Sequence, residues 1–119
     1  RFLAPDNPRF LSTFAAVEEQ LRRGDFMLRY AAEDDFGLPE TAFNVCTFWL
    51  IEALHLVGRS EEARALFATM LRHTTASGLL SEDIDFVTGE LWGNFPQTYS
   101  LVGVINCAGL LSKPWSDVR

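Results

Sequence analysis

A chain of 119 residues, 48% of them apolar and 22% charged, is long enough for one domain with a buried core and too hydrophobic for a disordered tail. Its net charge of −6 argues against a nucleic-acid partner, because the nearest candidates for a basic patch, Arg22, Arg23 and Arg29, have acids close on either side. Nothing reads as a signal peptide, and the longest apolar run, 101–111, is interrupted by Asn106 and falls short of the roughly 20 residues a membrane span needs.

Four helices are expected. The first follows Pro8 and covers residues 9–23, with Leu11, Phe14, Ala15 and Leu21 on one face at helical spacing, while Glu18, Glu19 and Arg22 are polar. Gly24 stops it. Residues 25–30 form a short apolar stretch that can be extended, and 31–39 an acidic loop with Glu33, Asp34 and Asp35 in a row. The second helix spans 41–57. Its apolar residues, among them Phe43, Val45, Phe48, Trp49, Ile51 and Leu54, cover nearly every face, which predicts a buried helix.

Gly58 ends that helix, and Ser60 is the expected cap of the third, over 61–73. So short a link makes the two an antiparallel hairpin. Ala63, Leu66, Phe67, Met70 and Leu71 give the third helix a one-sided stripe. Residues 79–94 read as a loop rich in Asp, Glu and Gly. The fourth helix, 97–112, is apolar on most faces and is closed by Pro114. Amphipathic and all-apolar helices therefore alternate, as in stacked hairpins with an inner and an outer layer. Four helices make part of such a ring. With Arg1 rather than Met in front, the expectation is a segment of a larger protein.

Cys46 and Cys107 both sit in apolar runs and match no zinc spacing, so buried free thiols and a reducing, cytoplasmic setting are expected. His55 and His73 lie on different helices, and His55 reads as a satisfied core or interface histidine. No serine has a companion His at a catalytic spacing. Asp83, Asp85 and Glu90 superficially suggest a calcium loop. Val87 stands where a third Asp or Asn belongs and Gly89 comes one position late, so no metal and no cofactor is expected.

The informative stretch is Gly78-Leu79-Leu80-Ser81-Glu82-Asp83-Ile84-Asp85, then Thr88-Gly89-Glu90-Leu91-Trp92-Gly93-Asn94-Phe95-Pro96-Gln97-Thr98-Tyr99-Ser100. It brings four carboxylates into a loop with Trp92 and Tyr99. Loops held by rigid helices are where sites concentrate. Carboxylates do acid–base work on sugars and aromatic faces stack on pyranose rings. A solvated acidic loop with Trp92 packed down as an anchor has the same composition.

This run resembles the C-terminal motif of glycoside hydrolase family 15, the glucoamylase and trehalase family, in the form its bacterial members carry. Residues 43–58, with Cys46-Thr47-Phe48-Trp49-Leu50, resemble the helix before that motif, and the likeness covers residues 8–115. It implies an all-α fold, a segment of an (α/α)6 barrel, with this chain as the C-terminal portion of a single catalytic domain. It also implies inverting hydrolysis of an α-glucosidic bond in a glucan, a maltoside or trehalose. One carboxylic acid protonates the leaving oxygen while a carboxylate about 6.5–9.5 Å away activates water on the opposite face. By the resemblance Glu82 is that general base, Tyr99 lies near the base and the bound sugar, and Trp92 lines the same site. The acid belongs to a segment upstream of Arg1, so the partners implied are a di- or oligosaccharide and the rest of the domain. Two positions depart from the pattern: Leu101 stands where the bacterial members usually have His, and Asp83 where Glu or Gln is frequent.

A competing reading is a tetratricopeptide-like interaction module, since residues 48–67 resemble one such hairpin. It predicts a second turn about 34 residues on. That offset from Gly58 reaches Trp92, in the acidic loop.

Overall fold

The computed structural model describes residues 2–35 and 37–112, so the expected closing role of Pro114 lies outside the described residues. Its elements are α1 (Pro8–Leu21), β1 (Arg22–Arg23), β2 (Phe26–Met27), β3 (Thr41–Phe43), α2 (Asn44–Leu56), α3 (Ser60–Arg72), β4 (Asp83–Asp85), β5 (Leu91–Trp92) and α4 (Thr98–Leu111). The four expected helices are present, but the chain is not purely all-α. β1 and β2 form a two-stranded antiparallel sheet, and β3, β4 and β5 a three-stranded one in that order. Strands of two or three residues are too short to show an alternating pattern. They form because loop backbone lying against a core must find hydrogen-bond partners.

The helix starts and stops have local causes. Asn7 accepts a hydrogen bond from the Arg9 amide and Pro8 occupies the first turn of α1, where its missing N–H costs nothing. That helix stops at Leu21 because Arg22 and Arg23 turn into the pairing with Met27 and Phe26. The second helix starts three residues later than expected. Thr41–Phe43 pair with Asp85, Ile84 and Asp83, and the Asn44 amide donates to the Glu82 carbonyl at 3.0 Å.

Between α2 and α3, Gly58 has φ +89 and its amide bonds His55 O, while Arg59 N bonds Leu54 O. This double bond pattern closes the helix and requires the left-handed glycine. Ser60 does not cap α3. It is the first helical residue, and its Oγ pairs with His55 Nδ1 at 3.0 Å, which gives His55 the satisfied role expected of it.

The core lies where α2 meets α3 and α4. Phe48, Ile51 and Leu54 of α2 are fully buried, with Ala63 and Met70 from α3, Cys107 from α4, Leu80 from the loop after α3 and Ile84 from β4. As its stripe predicts, α3 buries one face (Ala63, Leu66, Met70). α4 also buries a single stripe, Ser100, Gly103, Cys107 and Leu111. Its Val102 and Ile105, like Trp49 of α2, stay exposed, so the apolar faces of α2 and α4 are only partly covered. An apolar-all-round helix is buried when neighbours pack every face, and among the described residues these two have neighbours on some faces only.

Both cysteines are free. Cys107 is buried and Cys46 half-buried. Trp92 lies in β5, so the 34-residue offset from Gly58 lands on a strand and the hairpin is not repeated there. No helix among the described residues is long and apolar enough to cross a membrane.

Candidate active site

The N-terminal ends of α2 and α4 converge on the loop segment Leu80–Glu82. The Ser81 carbonyl accepts from Asn44 Nδ2 at 3.0 Å and from Ser100 Oγ at 2.6 Å. Gln97 N donates to Leu80 O and Asn44 N to Glu82 O. The Ser81 hydroxyl bonds Asp83 O. Asn44, Ser81 and Ser100 are all buried, so these bonds also satisfy the Asn44 Nδ2 group and the two hydroxyls, which would be costly to leave unpaired, while Asn44 Oδ1 has no partner among the described residues. The peptide carrying Glu82 is thereby tied to the starts of two helices, which fixes where its side chain leaves the backbone.

The second loop of the motif straps Glu82 from the other side. Its amide donates to Asn94 O at 2.8 Å. Its Oε2 accepts from the Asn94 amide at 3.2 Å and from Asn94 Nδ2 at 2.8 Å. Gly93 makes the approach possible: its φ is +77, and a Cβ there would lie 3.1 Å from both Cβ and Oε2 of Glu82.

Glu82 opens into a cleft of about 550 Å³ whose other walls are Arg29, Phe43, Val45, Cys46, Trp49 and Tyr99. Arg29 holds its guanidinium 5.5 Å from the centre of the Phe43 ring. Trp49 and Tyr99 are largely exposed and contribute apolar faces. A carboxylate and a guanidinium among three aromatic rings can meet both the apolar faces and the hydroxyls of a polyhydroxylated ligand.

Asp83, next to Glu82, points away into the sheet and accepts from Thr41 Oγ1 at 3.0 Å. Burial raises its carboxyl above the usual Asp range. The Glu82 charge adds to that effect, while the Thr41 hydrogen bond and Arg29 work against it. Asp85 is held below its usual range by the amides of Thr88 and Val87, which its Oδ1 accepts at 2.9 and 2.7 Å. It serves the turn. Among the described residues no group of three or more His, Cys, Asp or Glu is placed to hold a metal ion.

A smaller hollow of about 250 Å³ lies between α1 and α2, next to the cleft. Its walls are almost wholly apolar, and its one carboxylate, Glu18, is engaged by Arg22 and Arg59. Acid–base chemistry has its better candidate in Glu82.

Of the residues singled out in the sequence, Glu82 and Tyr99 share the cleft. Trp92 stands half exposed on β5, opposite Asp83 in the sheet, and is not among the cleft's lining residues. Leu101 is half-buried in the first turn of α4. Arg29, Phe43, Trp49 and Asn94 were not identified from sequence as site residues. Arg29 carried a signal, as a lone cation in an apolar stretch. Asn94 sat inside the motif without a role. Phe43 and Trp49 were indistinguishable from core.

Over residues 1–109 the sequence matches the profile of glycosyl hydrolases family 15. It is 38% identical over 114 residues to a trehalase of Thermoplasma acidophilum, which covers 94% of this chain and 19% of that protein. It is 37% identical over 109 residues to trehalases of Mycolicibacterium smegmatis and Mycobacterium tuberculosis, covering 89% of this chain and 16% of each of those. The chain thus spans less than a fifth of the length of these relatives. No solved structure matches it. The cleft with its carboxylate and aromatic walls lies within the matched residues, and the chain belongs to glycosyl hydrolases family 15.

Proposed function

We propose that this chain is the C-terminal portion of the catalytic domain of an inverting hydrolase of α-glucosidic bonds, and that Glu82 is its general base. The observation that carries the reading is a carboxylate anchored at the wall of an aromatic cleft, inside the part of the chain that matches the family. In this chemistry Glu82 takes a proton from water as the water oxygen bonds to the anomeric carbon. The bond to the leaving oxygen breaks on the opposite face, and that oxygen receives its proton from a second carboxylic acid in the rest of the domain. Tyr99 borders the bound sugar. Trp92, on β5, is a candidate for the rim of the same site. No metal or cofactor takes part in these steps.

Trehalose is the favoured substrate because the relatives above are trehalases. Maltosides and glucan ends would use the same pair of carboxylates. The uncovered apolar faces of α2 and α4 support the (α/α)6 barrel, with the remaining hairpins as their cover. The two free thiols favour a reducing, cytoplasmic setting.

The test is Glu82→Gln in the full-length protein. Loss of a general base costs on the order of 10²–10⁴ in rate, and the fold, read by circular dichroism, should be unchanged. A variant with near-normal turnover would show that the base lies elsewhere. On trehalose the unaltered protein should release one β-glucose and one α-glucose, visible by NMR before mutarotation. Two α-anomers would mean retention. The segment alone, lacking the acid, should release no glucose from trehalose, maltose or starch above a blank.

A further inference from the structure

We infer that Asn94 is the positioning residue that decides which oxygen of Glu82 accepts the proton: it holds Oε2, and Oε1 is the basic atom. The inference rests on the proposal that Glu82 is the base. Oε2 receives two N–H groups from Asn94, the backbone amide at 3.2 Å and Nδ2 at 2.8 Å. A carboxylate only accepts, so the amide edge facing it must be the NH2 and not the carbonyl. Among the described residues Oε1 receives no hydrogen bond, and its lone pairs remain available to a water.

Such a division is needed because the terminal torsion of a glutamate is broad and nearly two-fold. An unrestrained carboxylate swaps its oxygens and tilts its plane. A base must keep one lone pair aligned with the attacking water, since even about 1 Å of misplacement can cost about 10²-fold in rate. Asn94 is well suited to this restraint. Its backbone carbonyl is fixed to the Glu82 amide at 2.8 Å, so the donor and the group it orients are two ends of one closed unit. Gly93 completes the unit, because its missing side chain leaves the space that Oε2 occupies.

The Asn94 side chain is exposed, and among the described residues the partner of its amide is Glu82. It is therefore not a core element whose loss would unfold the loop, and the bond from the Glu82 amide to the Asn94 carbonyl does not depend on the Asn94 side chain. This separates orientation of the base from support of the fold.

The experiment compares Asn94→Ala, Asn94→Leu and Glu82→Gln in the full-length protein on trehalose. Leu is close to Asn in size and carries neither a donor nor a charge, whereas Asp would set a second carboxylate against Glu82. The inference expects kcat to fall about 10–100-fold in both Asn94 variants, with Leu no better than Ala. KM should stay within about twofold, and the melting temperature within about 2 °C. If Asn94 merely fills space, Leu restores the wild-type kcat, and that result overturns the inference. A loss confined to KM overturns it too, since it would make Asn94 a sugar contact. An inactive Glu82→Gln beside a fully active Asn94→Leu removes the role from Asn94 and leaves the base in place. A fully active Glu82→Gln removes both.

Discussion

A Cβ built on Gly103 would stand 2.5 Å from Cδ2 of Phe48 and 2.6 Å from its Cγ, so α4 lays its backbone directly on the ring of α2. The ring is fully buried there, and Cys107, one turn further along α4, sends its Sγ to within 3.5 Å of the Phe48 carbonyl. This contact sets how α4 sits on α2, and with it the place of Tyr99 relative to Phe43 and Trp49. Gly103→Ala is expected to destabilise the protein by roughly 1–3 kcal/mol, the usual cost of overpacking a tight core. Urea denaturation measures it, and an unchanged midpoint would show that the helices shift apart at little cost.

Four charges link α1 and β1 to the α2–α3 turn and the first turn of α3 in a closed ring. Arg22 reaches Glu18 at 2.5 Å and Glu62 at 2.8 Å, and Arg59 reaches the same two carboxylates at 2.7 Å each. The hydrogen bond from Arg59, with Arg22 behind it, lowers the Glu18 carboxyl despite some burial. For Glu62 the order of the two arginines is reversed. A lowered folded-state value means stability present above the ordinary Glu pKa and lost as pH falls through the folded one. Glu18→Gln should lower stability at neutral pH by up to about 1 kcal/mol, given the partial exposure of the pairs. The difference should shrink in acid and in high salt. Melting curves against pH and ionic strength test this, and a deficit that grows in acid would contradict it.

Asp83 titrates with the opposite sign. Burial raises its carboxyl, so folding disfavours its charge. Its contribution is most favourable below the ordinary Asp pKa and is lost as pH rises through the raised folded value. Asp83→Asn keeps an oxygen for the Thr41 hydroxyl and removes the charge. Its melting temperature should exceed that of the unaltered protein at neutral pH, and the two should meet in acid. A lower melting temperature at neutral pH would mean that the Thr41 bond needs a full carboxylate.

The Cys107 thiol is pushed up to about 12 by burial, with the Glu52 charge adding to it. At such a value the thiolate at pH 8 is on the order of one part in 10⁴. Cys46 is also raised by burial, but it lines the open cleft. With iodoacetamide followed by mass spectrometry, Cys46 should be labelled first and Cys107 only on unfolding. Equal labelling of the folded protein would contradict the packing of α4 on α2.

The helices were legible because their causes are local. Periodic apolar residues mark α1 and α3, Pro8 opens the first and Gly58 closes the second, and each signal lies within a turn or two of what it controls. Ser60 misled because a serine just past the glycine that ends a helix reads as a cap, whereas here Arg59 holds the cap position and the Ser60 hydroxyl goes back to His55. Of the strands only β2 was legible, inside the stretch 25–30 that can be extended; the three-stranded sheet was not. Thr41 pairs with Asp85 and Asp83 with Trp92, and these partners are brought together by packing rather than by anything in the short segments themselves. The same pairing turned Thr41–Phe43 from expected helix into strand.

By itself the sequence determined the four helices, the hairpin of α2 and α3, and the family to which the chain belongs. The tertiary structure decided what stands around them. Arg29, Phe43 and Trp49 become cleft walls, Asn94 takes hold of one oxygen of Glu82, and Trp92 is set on the sheet outside the lining. A side chain's type and its near neighbours are written in the chain, but its companions across a cleft depend on how helices cross and loops pair. That crossing is fixed by contacts such as Gly103 on Phe48, between residues far apart in the sequence.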